Sequence, residues 1–405
     1  MVYIYTVSDK ALMGKQVNIL SSYIAQSFFK NNIKISKQCI ISNTADFSFL
    51  SNEGTDKSVK IFLIEKTSET LNQKLCEITK SVIIENPYAK NAIYEYYRKI
   101  GQPVEKNSEN EWKLPSMARV IVNPKSTIQG YILSNDNTIY CILPNSYDDA
   151  RQMFDDIVLD FVLKDQKKKY KNHTFKTFGL PQNSILSVIN DEIKNKDRVS
   201  INLFEKPLEV DIVIKAAEDN KELDNIAQRI FQKLDKYIYS VEDIPIEKVV
   251  CKLLKLNEVK VGFVEDITGG ELCSRLIKQD IEIKENIEQS FVLLNSRVKS
   301  DFLKVANMPA EEEISANTVY DLAAKMISNS NANVVIATIG AIAQKDNNPS
   351  GLCYIAVGDK REIHVYKNMF KGNSNEIIES VTMASYFYLI KKLKKNDFHF
   401  EKSTV

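Results

Sequence analysis

FVEDITGG, residues 263–270, opens onto ELCSRLIKQ, residues 271–279. It reads as the end of a short apolar strand, two acids, and a turn through Thr268-Gly269-Gly270 into a helix. Paired glycines let backbone N–H groups approach a ligand, and a helix N-terminus adds partial positive charge. Such a turn is a natural place to hold an oxyanion. The side chain at its head, however, is Asp266, where acyl chemistry uses Ser or Cys. The stretch therefore raises two questions: which sheet it belongs to, and whether its frame still carries reactive groups.

Reading outward, a helical pattern (IEKVVCKLLKLN) and a strand (VKVGFV) lead into the turn. SFVLL, the helix TVYDLAAKMIS, the strand NVVIATIG, a hairpin of GLCYIAV and REIHVYK, and a helix running to about 395 follow it. That sequence predicts an α/β unit over 244–398. The first third also alternates: VYIYTV, then VNILSSYIAQSFFKNN with helical spacing, IKISKQCIIS, VKIFLI and the helical TSETLNQKLCEITKSVI. ARVIVNP, IQGYIL and TIYCILP are short strands before a helix over DDARQMFDDIVLDFVL. A mostly parallel, helix-covered sheet is expected over 1–165. KDQKKKYKNH (164–173) reads as a solvated linker. Residues 174–243 suit a small α+β unit of helix, two strands and helix, of KH-like size and order. Gly179 is its sole glycine, so the GxxG clamp for a nucleic-acid backbone is missing.

Composition narrows the function classes. Hydrophobic residues make up 44% and charged residues 26%, and the net charge of +1 supplies no global field to gather nucleic acid or anionic membrane. No apolar run reaches the roughly 18–20 residues of a membrane span. MVYIYTVSDK lacks the features of a signal peptide. Cys39, Cys76, Cys141, Cys251, Cys273 and Cys353 are scattered without a CxxC pair, as buried thiols of a reducing cytoplasm would be. His173, His364 and His399 lie too far apart in sequence to suggest a His-based metal site.

With these elements placed, the whole chain resembles the CinA (competence/damage-inducible protein A) family. The family's GDELLxG turn corresponds to Ser8-Asp9-Lys10-Ala11-Leu12-Met13-Gly14. LPSMARVIVNPKSTIQGYI (114–132) is similar to its apolar stretch around NP, and CILPNSYDDARQMF (141–154) to its LPGxPxEMxxMF. HTFKTFGLPQNSI (173–185) resembles its entry to the middle domain; ATIGAIAQ (337–344) and NPSGLCYIAV (348–357) resemble TGIAGP and KPVGTVYIA. The resemblance implies an α/β chain of three parts. These are a molybdopterin-binding-like (MoaB/MogA-type) domain over 1–165, a KH-like α+β domain over 174–243 and a CinA-type C-terminal domain over 244–398. It implies an ADP-ribose pyrophosphatase with divalent metal in the first part and a nicotinamide mononucleotide (NMN) deamidase in the last. A homodimer is likewise implied.

The departures fall on the residues that would do this chemistry. The family's GGLGPTxDD loop aligns with Glu65-Lys66-Thr67-Ser68-Glu69-Thr70-Leu71-Asn72-Gln73, which has no glycine to expose N–H groups to phosphate and no acid pair for a hard cation. Asp9, Gly14 and Asp149 remain as remnants. In AESCTGG the family nucleophile aligns with Asp266 and its base with Lys299. The family Tyr five residues before that base is Leu294, and its GDR is Gly372-Asn373-Ser374. Asp266, Thr268 and Lys299 are thus the catalytic positions, and Thr268, Gly269, Gly270, Gly340 and Gly351 the frame of a ligand pocket. The expectation is a fold kept without its chemistry, with no cofactor or metal and with a pyridine nucleotide or related small molecule as the ligand class. The alternative is a divergent but active amidohydrolase releasing ammonia from NMN. An ion pair between Asp266 and Lys299, within about 4 Å, is expected on electrostatic grounds.

Overall fold

The computed structural model describes every residue except 52–57, 136, 165–168, 195–198, 306–312, 344–347 and 396–405. Lys167, Lys168, His399 and the expected boundaries at 165 and 398 lie outside the described residues. The chain divides into two compact units, one of residues 1–171 and 217–219, the other of residues 172–216 and 220–405.

In the first unit, β1 (Val2–Val7), β2 (Ile35–Ile41), β3 (Ser58–Ile64), β6 (Arg119–Ile121), β7 (Gly130–Ser134) and β8 (Thr138–Pro144) form one sheet in the order β2-β1-β3-β8-β7-β6. The first four of that order pair in parallel and the last two antiparallel. Successive residues of a strand face opposite ways, so VYIYTV feeds two cores. Tyr5 and Val7 join Phe62, Ile64 and Leu75 on one face, while Val2 and Ile4 join Ile61, Leu63 and Phe154 on the other. Between β3 and β6, a two-stranded ribbon of β4 (Ile83–Glu85) and β5 (Lys113–Pro115) flanks the helix Pro87–Ile100. The predicted helix over DDARQMFDDIVLDFVL forms, but Phe154–Leu159 takes π-helical turns.

The second unit holds two sheets. β9 (Tyr170–Phe178), β10 (Ser200–Lys206), β11 (Glu209–Ala217) and β12 (Ile238–Ser240) lie in the order β10-β11-β9-β12. Residues 170–173, expected to be linker, therefore begin an interior strand whose last five residues are buried. β13 (Val261–Glu265), β14 (Ile287–Val292), β15 (Val334–Gly340), β16 (Leu352–Gly358) and β17 (Ile363–Met369) lie in the order β14-β13-β15-β16-β17. β13 is parallel to β14 and β15, and the β16–β17 hairpin closes the far edge. Phe178 and Tyr239 of the four-stranded sheet enter the core beneath β13, where Phe178 packs against Phe387 with its ring tilted by 33° and 4.7 Å between ring centroids. That shared core is why these two sheets belong to one compact unit. No described helix is long and apolar enough to cross a membrane.

Candidate functional site

β13 is buried along its whole length and runs between two parallel neighbours, so its carboxyl end is where a parallel sheet offers a crevice. The chain leaves that end at Asp266 and turns through Gly269 (φ +59°) and Gly270 (φ +98°) into the helix Glu271–Gln279. Both angles lie in the left-handed region, which glycine alone adopts freely. The groups that this turn would offer an oxyanion are already taken. The Glu265 carboxylate, with no exposed surface, accepts the Thr268 hydroxyl at 2.8 Å and the N–H groups of Gly270, Leu272 and Cys273 at 3.0, 3.1 and 3.2 Å. Burial pushes the Glu265 carboxyl above its ordinary range, although all four bonds pull it down. Thr268, a candidate for catalysis and ligand contact, is 1% exposed, and its hydroxyl also bonds that of Thr338 at 2.9 Å. It belongs to the floor beneath the turn.

Asp266 faces the other way. Its Oδ1 lies 3.1 Å from Lys299 Nζ, and its Oδ2 accepts the Gly340 N–H at 3.3 Å. Lys299 projects from the helix Ser296–Leu303 with 2% of its side chain exposed, and it also meets Glu313 Oε1 at 3.1 Å. One buried ammonium thus sits between two carboxylates. Burial, the dominant influence, and the nearby Glu313 raise the Asp266 carboxyl, while Lys299 and the Gly340 N–H oppose the rise. The carboxyl is elevated on balance, because two acids compete for one cation in a site with little water. Sequence reasoning paired Asp266 with Lys299 but missed Glu313 and the capping role of Glu265. The only hint of the latter is an acid one residue before the turn.

The rest of the expected pocket is frame. Gly340 ends β15, and a Cβ there would lie 2.7 Å from both Ile267 Cδ1 and Leu352 O. Gly351 (φ +85°) donates its N–H to Ala341 O at 2.7 Å, and a Cβ would come within 1.9 Å of Phe370 O. Where the resemblance expects an arginine, Gly372-Asn373-Ser374 instead builds a helix cap. Asn373 Oδ1 accepts the N–H groups of Asn375 and Glu376, and Glu376 accepts the Asn373 N–H at 2.8 Å. Leu294 is 64% exposed. Cys273, half-buried on the helix after the turn, has its thiol pushed up by burial, which disfavours a nucleophilic thiolate.

In the first unit the remnants are also spent locally. Ser8 Oγ caps the short helix Asp9–Leu12 by accepting the Ala11 N–H, and it donates to Glu65 Oε1 at 2.6 Å. Asp9 accepts the Ser42 hydroxyl at 2.7 Å and both the N–H and amide of Asn43 at 3.1 Å, bonds that hold its carboxyl below the ordinary range. Asp149 accepts from the buried Asn123 at 3.1 Å, and Gly14 forms an open turn at φ +69°. Asn72, at the position of a family acid, is buried; its amide donates to Lys113 O at 3.2 Å and its oxygen accepts the Tyr131 hydroxyl. An amide so committed offers a cation no negative charge, and Gln73 donates to Glu69 on its own helix. The donor set does not fit the divalent metal that the resemblance implies. An open groove of about 550 Å³ on the helix Pro87–Ile100, lined by Tyr88, Ala92, Tyr96, Val122 and Pro124 among others, contains none of these positions.

Comparison with known proteins accords with this frame. A profile described as the CinA C-terminal domain matches residues 243–393. A competence-damage inducible protein of Caldicellulosiruptor bescii is 23% identical over 405 residues, which cover 96% of this chain and 98% of that one. A CinA superfamily structure from Klebsiella pneumoniae shares 18% identity, covers 37% of this chain and 96% of its own, and has a TM-score of 0.34. The molybdopterin biosynthesis enzyme MoaB of Thermus thermophilus shares 16% identity, covering 39% and 89% of the two chains, with a TM-score of 0.24. Residues 243–393 thus match the CinA C-terminal domain, and nearly the whole chain is similar to proteins named competence-damage inducible.

Proposed function

We propose that this chain is a non-catalytic CinA-like protein, one that keeps the frame of a nucleotide amidase without its reactive groups and acts through binding or regulation. The observation that carries the reading is the buried Asp266–Lys299 pair at 3.1 Å, closed on the far side by Glu313. Hydrolysis of a carboxamide by a covalent route needs a nucleophile beside a base able to take its proton. A carboxylate attacking an amide would have to form a mixed anhydride while expelling ammonia, which is uphill. The lysine is gripped by two carboxylates, and among the described residues no hydroxyl is its partner. Thr268 is buried with its hydroxyl committed, so it does not replace the missing serine. A pyridine nucleotide or related small molecule remains the ligand class proposed for the pocket frame, and a homodimer the proposed assembly.

A divergent amidohydrolase is the second reading, and one observation favours it: the elevated Asp266 carboxyl could donate a proton nearer neutrality than an ordinary aspartate. Ammonia release from NMN separates the two. The parent is expected to release none above background, and Asp266→Ala to match it. Asp266→Ser combined with Leu294→Tyr and Ser374→Arg is expected to gain measurable turnover. Turnover by the parent that Asp266→Ser or Asp266→Ala slows would make the acid catalytic and overturn the first reading.

A further inference from the structure

We infer that Lys299 Nζ and the Gly340 N–H together form a carboxylate cradle, which Asp266 fills as a tethered ligand; the inference rests on the non-catalytic reading above. Each Asp266 oxygen has its own donor, Oδ1 the ammonium at 3.1 Å and Oδ2 the amide at 3.3 Å. That two-point grip is what a free carboxylate would receive. The donors are fixed independently of their occupant. Lys299 is 2% exposed and held by Glu313 at 3.1 Å, so its charge stays compensated when Asp266 is removed. Gly340 is clamped between Ile267, Leu352 and Cys353. Asp266, at 11% exposure against 7% for Glu313, is the outermost member of the cluster and the one a solute would replace.

Charge and volume define what the emptied cradle would accept. Lys299 and Glu313 cancel, so a monoanion restores the net charge of the native cluster, whereas a dianion overloads a site already bordered by the buried Glu265. Asp266→Gly deletes CH₂COO⁻, the volume of acetate. Asp266→Ala deletes only the carboxylate, the volume of formate. In the native chain the occupant is covalently attached, so external carboxylates are excluded by an intramolecular competitor of high effective concentration.

The test is thermal unfolding of the full chain with sodium acetate, formate or sulfate at matched ionic strength. Asp266→Gly should gain a saturable rise of several degrees with acetate. Asp266→Ala should respond to formate and less to acetate, and the parent to neither. Sulfate should give no such rise in any of them. Adding Lys299→Met to either variant should abolish the response. No saturable rise in the variants, an equal rise in the parent, or a rise that survives Lys299→Met would overturn the cradle. If a variant is unfolded alone, recovery of its near-UV circular dichroism with the matching anion supports the inference. A variant that stays unfolded at high anion concentration refutes it, since Asp266 would then be more than a replaceable ligand. Failure here leaves the non-catalytic reading standing, because ammonia release decides that separately.

Discussion

Asp266 and Glu265 are adjacent acids with opposite assignments, one facing a cation and the other a helix N-terminus. Both carboxyls are elevated by burial, and for Asp266 the pH dependence follows. An acid that binds its proton more tightly folded than unfolded adds stability when protonated. That contribution is lost as pH rises from the unfolded value, about 4 for aspartate, through the higher folded one. Asp266→Asn has no such proton, so the parent should lose stability relative to this variant as pH rises through that window. Urea unfolding of both from acid to neutral pH checks the sign; a parent that gains on the variant would mean that Lys299 outweighs burial. Glu265→Ala should cost about 2–4 kcal/mol, because it strands three N–H groups and a hydroxyl together with a buried cavity. A loss under about 1 kcal/mol in the same assay would show that water replaces the carboxylate. The proximity of Asp266 and Lys299 was legible because both are aligned with positions that the resemblance makes partners. Glu313 was not, since it ends a run of three glutamates and nothing in that run tells which one turns inward.

At the scale of elements, the turn could be read because glycine spacing has a backbone meaning. Elements whose burial comes from neighbours could not. YKNH (170–173) is polar enough to pass for linker, yet it begins β9, a strand that lies between β11 and β12 in the sheet. Lys176 is tolerated inside that strand by Asp211 and Asp243 at 3.1 and 3.0 Å, two partners remote in sequence. The π-helical stretch at 154–159 likewise leaves no trace in hydrophobic spacing, for the apolar face continues through it. Two glycines test how far backbone geometry alone explains the frame. Gly101 and Gly351 share left-handed angles of +69° and +85°, but a Cβ at Gly101 meets nothing within 4 Å while one at Gly351 collides with Phe370 O. Gly101→Ala should cost about 1 kcal/mol, the strain of the angle. Gly351→Ala should cost several times more, since a backbone atom must move. Equal losses on denaturant titration would mean that the β16–β17 hairpin shifts freely and does not hold the frame.

Across the whole molecule the two candidate sites are tied up in the same way, although each lies in a different unit and at the end of a different sheet. In the first unit Ser8 is tied to Glu65, Asp9 to Asn43, and Asn72 to Tyr131 and Lys113. In the second, Glu265 fills the helix N-terminus and Asp266 fills Lys299. Each of these side chains is satisfied from within the chain. A ligand must then break internal bonds before it can make its own, and the desolvation it would share with an empty site has no return here. A thermal-shift panel of NMN, ADP-ribose and Mg²⁺ at millimolar concentration should accordingly move neither unit. The measurement is sensitive enough to decide, because a ligand at a hundred times its dissociation constant adds about 2.7 kcal/mol. For a unit of 150–250 residues each kcal/mol moves the midpoint by roughly 2–4 °C. A rise with Mg²⁺ that Asn72→Ala abolishes would show that the first-unit loop still binds a cation. A rise with NMN alone would leave the second-unit frame a working nucleotide pocket, and the chain's role would then be to sense that nucleotide without hydrolysing it.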